Sequence, residues 1–212
     1  MKIDELVAAN RIENQNKIAV YTAVTNSYDK INTPRRIDKN IDYYLFTDKE
    51  NTQKQKWNIS HIKFKYRDPR RLAKIFKIFP HLLFPNYKYS IWLDANFKII
   101  GDLGSLVNNY MKNSYIGFVK HPKRLCIYDE SNYILSLGYD NTRKVRNQIK
   151  KYSKDGYPRK NGLIAGGFII RDHHNNKCIK LMEKWWDEID TYSSRDQLSF
   201  NYVCWRKKYT RG

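Results

Sequence analysis

The sharpest local feature of the chain is Trp92-Leu93-Asp94-Ala95-Asn96. A carboxylate that closes an apolar run, with an amide oxygen two residues on, presents both groups to one side of an extended chain. Hard ions such as Mn2+ or Mg2+ take oxygen ligands of this kind, one or two from protein beside substrate phosphates. Asp94 and Asn96 are therefore the candidate metal ligands, although a strand-ending Asp before an ordinary turn gives the same pattern. A second feature is Arg70-Arg71-Leu72-Ala73-Lys74-Ile75-Phe76-Lys77-Ile78-Phe79. At helical spacing Arg70, Lys74 and Lys77 fall within about 60° of one another, with Leu72, Ile75, Phe76 and Phe79 opposite. Cations stacked beside a helix start can hold a diphosphate. A solvated basic face explains the same spacing.

Gly162-Leu-Ile-Ala-Gly-Gly-Phe168 places two glycines in a strand pattern, which marks a close approach of ligand or backbone, or a β-bulge. In Ser193-Ser194-Arg195-Asp196-Gln197 a serine is expected to cap the following helix, with Asp196 and Gln197 in its first turn. The pair His173-His174 follows a strand and reads as surface more readily than as a metal site, since no further ligand spacing accompanies it. His121 and Arg124, followed by Asp129 and Glu130, form a polar segment beside a strand end, suited to an acceptor loop or a helix start. Trp185-Trp186 sits at helical spacing from Leu181 and Met182 and reads as core.

The elements that must position these groups alternate. Strands are expected at 17–24, 42–47, 61–66, 89–93, 115–119 and 163–170, with residues 97–100 extended. Helices are expected from Pro69 to a stop at Pro80, and at 103–111, 128–153 (broken near Gly138), 175–190 and 194–205. Such alternation predicts one α/β domain, its sheet largely parallel and covered on both faces. Ligands bind beyond the carboxyl ends of strands in such sheets. That rule gathers Thr22 to Asn26, Asp48, Asp94 to Asn96 and the stretch after Gly167 into one candidate cleft.

With 212 residues, 41% hydrophobic and 15% aromatic, the chain can bury a core, and disorder is excluded. Cys126, Cys178 and Cys204 form no disulfide framework, which suggests a reducing compartment. The first sixteen residues contain no apolar run and no stretch is long enough to span a bilayer, so a soluble cytoplasmic protein is expected. Forty Lys+Arg against 21 Asp+Glu, a net +19, keep a polyanion-binding module open as an alternative function. Much of that excess is dispersed; the short clusters are Arg35-Arg36 and Arg206-Lys207-Lys208.

Taken in order, KIAVYTAVTNSYDK, LFTD, PRRLAKIFKIFPHLLFPNYKYSIWLDAN, HPKRLCIYDE, GLIAGGFIIRDH and SSRDQLSFNYVCW resemble the glycosyltransferase-like domain of plant mucilage and pollen proteins, a relative of the GT-A transferases. Closer still, the chain looks like the N-terminal domain of multidomain glycosyltransferases encoded by chlorella viruses. The resemblance spans residues 17–205. It implies a GT-A fold, a Rossmann-like mixed sheet flanked by helices in a single domain, that binds a UDP-sugar with Mn2+ or Mg2+. It implies that Tyr21, Thr22, Ala23 and Asn26 line the uridine pocket and that Asp94 opens the metal motif, with Ala95 against the ribose. Asn96 stands where a second Asp is usual, which removes a charge from that motif and keeps a catalytically dead sugar-nucleotide-binding domain open as a reading.

On the same resemblance Arg70, Arg71, Lys74 and Lys77 face the diphosphate or sugar, and Ala165, Gly166 and Gly167 pass under the sugar. Asp196 and Gln197 lie near the anomeric carbon. Related enzymes with such an Asp-Gln arrangement mostly retain anomeric configuration, and UDP-glucose and UDP-rhamnose are the first donors to test. The partners implied are a UDP-sugar and a glycan acceptor, with neither nucleic acid nor a membrane span. The tail from Lys207 to Gly212 carries no stop signal, so further domains are expected in a longer chain.

Overall fold

The computed structural model describes residues 3–13, 17–53 and 55–206. Lys207 and Lys208 lie outside them. The elements are α1 (Ile3–Ala8), β1 (Ile18–Val24), β2 (Ile41–Thr47), β3 (Asn58–His61), α2 (Pro69–Ile78), α3 (Pro80–Leu83) and β4 (Tyr89–Leu93). They continue as α4 (Leu103–Tyr110), β5 (Ile116–Lys120), α5 (Ile127–Ser136), α6 (Thr142–Lys154), β6 (Ile164–Asp172), α7 (Asn176–Thr191) and α8 (Gln197–Arg206). The sheet order is β3-β2-β1-β4-β6-β5. β3, β2, β1 and β4 run parallel, and β6 pairs antiparallel with β4. The sheet is therefore mixed and flanked by helices, a Rossmann-like architecture. The chain divides into two compact units. The first takes residues up to 117 with 167–179, the second 118–166 with 180 onward.

In the first unit the strands are apolar on both faces because helices cover both. Val20, Val24, Leu45, Ile91 and Leu93 meet Leu103, Val107 and Met111 on the side of α4. Alternate positions build an aromatic layer: Tyr21 is set edge-on to Phe46, Phe84 and Trp92, and Phe46 leans on Phe76 of α2. Asp68 caps α2 by accepting from the Arg70 N–H. Pro80 does more than stop that helix. With no N–H to satisfy at a helix start, it opens the one-turn α3.

Two expectations are corrected here. Where a strand is expected over 61–66, β3 instead runs Asn58–His61, and it stops there because the Asn10 side chain takes the neighbouring backbone positions, donating to His61 O and accepting from the Lys63 N–H. Residues 97–100 form no strand.

His173, expected at the surface, is buried, and its Nε2 lies 3.1 Å from Phe84 O. Burial, with Arg171 and His174 adding to it, lowers the pKa of His173 to about 3 and of His81 to about 4, against an ordinary 6.5. The unfolded chain then binds more protons than the fold as pH drops below 6.5, so stability is full above 6.5 and is lost toward 4. Thermal melts are expected to show Tm falling through that window, with a shallower fall in His81→Gln. A Tm that stays level across it would contradict the assignment.

The second unit packs aromatics. Trp185, fully buried, is edge-on to Phe118 and Phe200, and its Nε1 donates to Asp196 O. The expected core role of Trp185 and Trp186 is met. Tyr152 of α6 stacks on Tyr202 of α8 with centroids 3.7 Å apart. Glu188 of α7 accepts from Lys151 Nζ and the Tyr152 hydroxyl, both at 2.7 Å.

Candidate active site

β4 carries Ile91, Trp92 and Leu93 into the interior and releases Asp94 at its carboxyl end. The Asp94 N–H donates to Gly167 O at 2.9 Å, and Asp94 O accepts from the Phe97 N–H, which closes a turn. Its Oδ1 accepts from Trp92 Nε1 at 2.9 Å and lies 4.0 Å from Lys77 Nζ. The Asp94 side chain keeps 36% exposure while that of Lys77 keeps 1%. One fixed carboxylate thus meets solvent on one side and a buried cation on the other.

Lys77 corrects the expectation of an open basic face. Along α2, Arg70 is exposed, Lys74 half-buried and Lys77 buried, so the row of cations descends into the interior. The Lys77 ammonium lies 5.5 Å from the centroid of the Trp92 ring. Its backbone oxygen accepts from the Tyr21 hydroxyl at 3.2 Å and from Arg171 Nη1 at 2.6 Å. Arg171 also donates to that hydroxyl at 2.5 Å. Tyr21 is accordingly a core residue whose side chain lines no open pocket, and burial, opposed by Arg171, moves its pKa up to about 12. Thr22 and Ala23 are buried with it. Arg71 is buried and ion-paired with Asp68, so it fastens the helix start rather than reaching outward.

The loop after β1 is held at several points. Asn26 adopts φ 52°, uncommon for a non-glycine residue, and its N–H is shared between both Asp48 oxygens at 3.0 Å. Thr25 donates to Pro69 O at 2.7 Å. Asn32, which the sequence reading missed, donates its N–H to Ala95 O and its side-chain amide to Asn96 O. Trp57 in turn donates to Asn32 O. Asn32 is a positioning residue for the Asp94-Asn96 turn, and no local pattern could mark it, because Ala95 and Asn96 lie more than sixty positions away.

Gly167 has a specific steric reason. A Cβ there would stand 2.7 Å from Phe97 Cε2 and 3.0 Å from Asp94 Oδ2. Both neighbours are side chains that can give way, so Gly167→Ala is expected to change unfolding free energy by less than about 1 kcal/mol. Displacing the carboxylate should nevertheless lower turnover by about a hundredfold. Parallel melts and initial rates check this; equal losses of stability and rate would contradict it.

In the second unit Asp196 is buried and its carbonyl accepts from the N–H groups of Ser199 and Phe200, so it precedes α8 instead of lying in its first turn. Gln197 opens the helix and donates to Ile164 O at 3.3 Å. The Ser193 and Ser194 hydroxyls do not cap α8; both donate to Asp140, which also accepts the Ser194 N–H. Those bonds hold the Asp140 carboxyl below its ordinary pKa, outweighing the burial that opposes them. Ala165 is half-buried and Gly166 buried.

Three of the four acceptor candidates turn on one another. Arg124 Nε pairs with buried Glu130, His121 Nε2 lies 3.9 Å from that carboxylate, and His121 Nδ1 accepts from the N–H groups of Lys123 and Arg124. Asp129 stays exposed.

Among the described residues no three His, Cys, Asp or Glu side chains converge on a metal position. The donors at the β4 end are one half-exposed carboxylate and the exposed side chain of Asn96. That set is too small for a protein-only cage. It fits an ion such as Mg2+ that completes its shell with phosphate oxygens and water.

Residues 4–211 match the model of the TOD1/MUCI70 glycosyltransferase-like domain. The chain belongs to this family. The probable hexosyltransferase MUCI70 of Arabidopsis thaliana is 26% identical over 219 residues, which cover 88% of this chain and 37% of that protein. The alkaline ceramidase TOD1 of the same plant is 23% identical over 223 residues, covering 88% of this chain and 48% of its own. The chain thus spans less than half the length of either relative. Two such different names within one family mean that the chemistry must be argued from the site. No helix among the described residues is long and apolar enough to cross a membrane.

Proposed function

We propose that this chain is a glycosyltransferase domain that moves a hexosyl or deoxyhexosyl group from a UDP-sugar to a glycan hydroxyl with retention of configuration. The observation that carries this reading is the buried Lys77 ammonium 4.0 Å from the Asp94 carboxylate at the end of β4. Family membership and the name of the MUCI70 relative supply the reaction class.

In the proposed reaction the C1–O bond to the diphosphate breaks, and its electron pair leaves on UDP. The acceptor oxygen bonds to C1 from the same face and passes its proton to a phosphate oxygen. Asp94 and Asn96 would hold the divalent ion, whose role is to neutralise the charge growing on the departing diphosphate. Lys77 adds a positive charge that burial keeps effective, since few waters screen it. Arg70, exposed at the start of α2 and set over the Tyr28 ring at 5.8 Å, is proposed to meet the phosphates.

Calorimetry with UDP, UDP-glucose and UDP-rhamnose, each with and without Mn2+, tests the donor and the ion, with release of UDP as the readout of turnover. Manganese-dependent binding with slow UDP release is expected. Binding without any release would make the domain a sugar-nucleotide binder, and no binding at all would remove the reading.

A further inference from the structure

A large part of the +19 charge has no place in the chemistry proposed above, and α6 concentrates much of it. Its sequence, TRKVRNQIKKYSK, contains no acidic residue. Val145, Gln148 and Tyr152 form its buried stripe, and Lys151 turns to Glu188. Arg143, Arg146, Lys150 and Lys154 are exposed at spacings of three, four and four, which aligns them on one face. That row is about 16 Å long at 1.5 Å per residue.

The corner that leads into α6 is apolar and exposed. The N–H groups of Gly138, at φ 63°, and Tyr139 return to Leu135 O and Ile134 O, a Schellman ending of α5 that throws the next residues outward. Tyr133, Leu137 and Tyr139 are 42, 46 and 42% exposed. The two tyrosine rings meet edge to face with centroids 6.2 Å apart. Arg124 lies 4.0 Å from the centroid of Tyr133, and Arg195 lies 4.8 Å from that of Tyr139. All of these residues belong to the second unit.

We infer that the α5–α6 corner and the basic face of α6 form a docking surface for an anionic lipid bilayer. Charge complementarity selects a polyanion, and the exposed apolar corner selects among polyanions. A nucleic acid that stacks bases on tyrosine needs a bare ring face, and here guanidinium groups sit over both rings. An exposed leucine also has no use on a phosphate backbone. Tyrosine, leucine and arginine side by side, continued by a lysine–arginine row, are the composition of a surface that lies in the headgroup layer. The proposal does not depend on the glycosyltransferase reading, because it concerns neither donor nor turnover.

Cosedimentation of the full chain with vesicles tests it. Vesicles of equal parts phosphatidylcholine and phosphatidylserine are expected to carry the protein down, and pure phosphatidylcholine is not. At about fivefold per cation near an anionic surface, Arg143→Gln, Arg146→Gln and Lys150→Gln together should lower the partition coefficient about a hundredfold. Tyr133→Ser with Leu137→Ser should keep binding at low salt but lose the part that survives high salt. All five positions are exposed, so melts of both variants should match the parent. Equal sedimentation with neutral vesicles, an unaffected charge variant, or capture by heparin or single-stranded DNA without capture by vesicles would each overturn the proposal.

Discussion

Asp94→Asn is expected to lower turnover of the proposed UDP-sugar by a hundredfold to about a thousandfold, and also to lower Tm, because the buried Lys77 ammonium loses the carboxylate 4.0 Å away. Asparagine has the same shape, and its oxygen can still accept from Trp92 Nε1. The Asp94 backbone bonds to Gly167 and Phe97 do not involve the side chain. What disappears is one negative charge at a position that already has Asn96 in place of a second acid. The variant would therefore present two amides and no carboxylate to the proposed ion. Calorimetry should show UDP binding that no longer responds to Mn2+. If manganese dependence persists in Asp94→Asn, the ion is held elsewhere and the proposed site is wrong.

Lys77→Met should separate activity from stability. Methionine fills nearly the same volume and leaves the backbone oxygen that anchors Tyr21 and Arg171. Replacing a buried charge by an apolar isostere is often neutral or stabilising, because the desolvation cost of the ion is removed. Asp94, still partly in water, is not stranded by the loss. Unfolding free energy should consequently stay within about 1 kcal/mol of the parent or rise. Turnover should fall by about a hundredfold through kcat, since in the proposed reaction the ammonium would matter most when charge grows on the leaving diphosphate. Denaturant melts beside steady-state kinetics read both quantities. A loss of several kcal/mol with unchanged kcat would make Lys77 a structural ion-pair partner and nothing more.

The sequence alone fixes much of the framework, because its signals are local. Short stretches rich in β-branched and aromatic residues mark β1, β2 and β4, and Pro69 marks the start of α2. The run closed by Asp94 places a carboxylate at a strand end, where an open α/β sheet binds ligands. Family membership was legible for the same reason, since motif order survives where overall identity is only 26%.

Tertiary structure decided the rest. Helical spacing puts Arg70, Lys74 and Lys77 on one face, but only packing against the aromatic layer determines that Lys77 is buried and Arg70 is not. The Ser193-Ser194 pattern reads as a cap, yet Asp140, fifty-three positions away, takes both hydroxyls. The α1 helix, the early end of β3 and the role of Asn32 depend on partners distant in sequence. Periodicity records how a residue faces along its own element, and it carries no record of which element comes to cover that face.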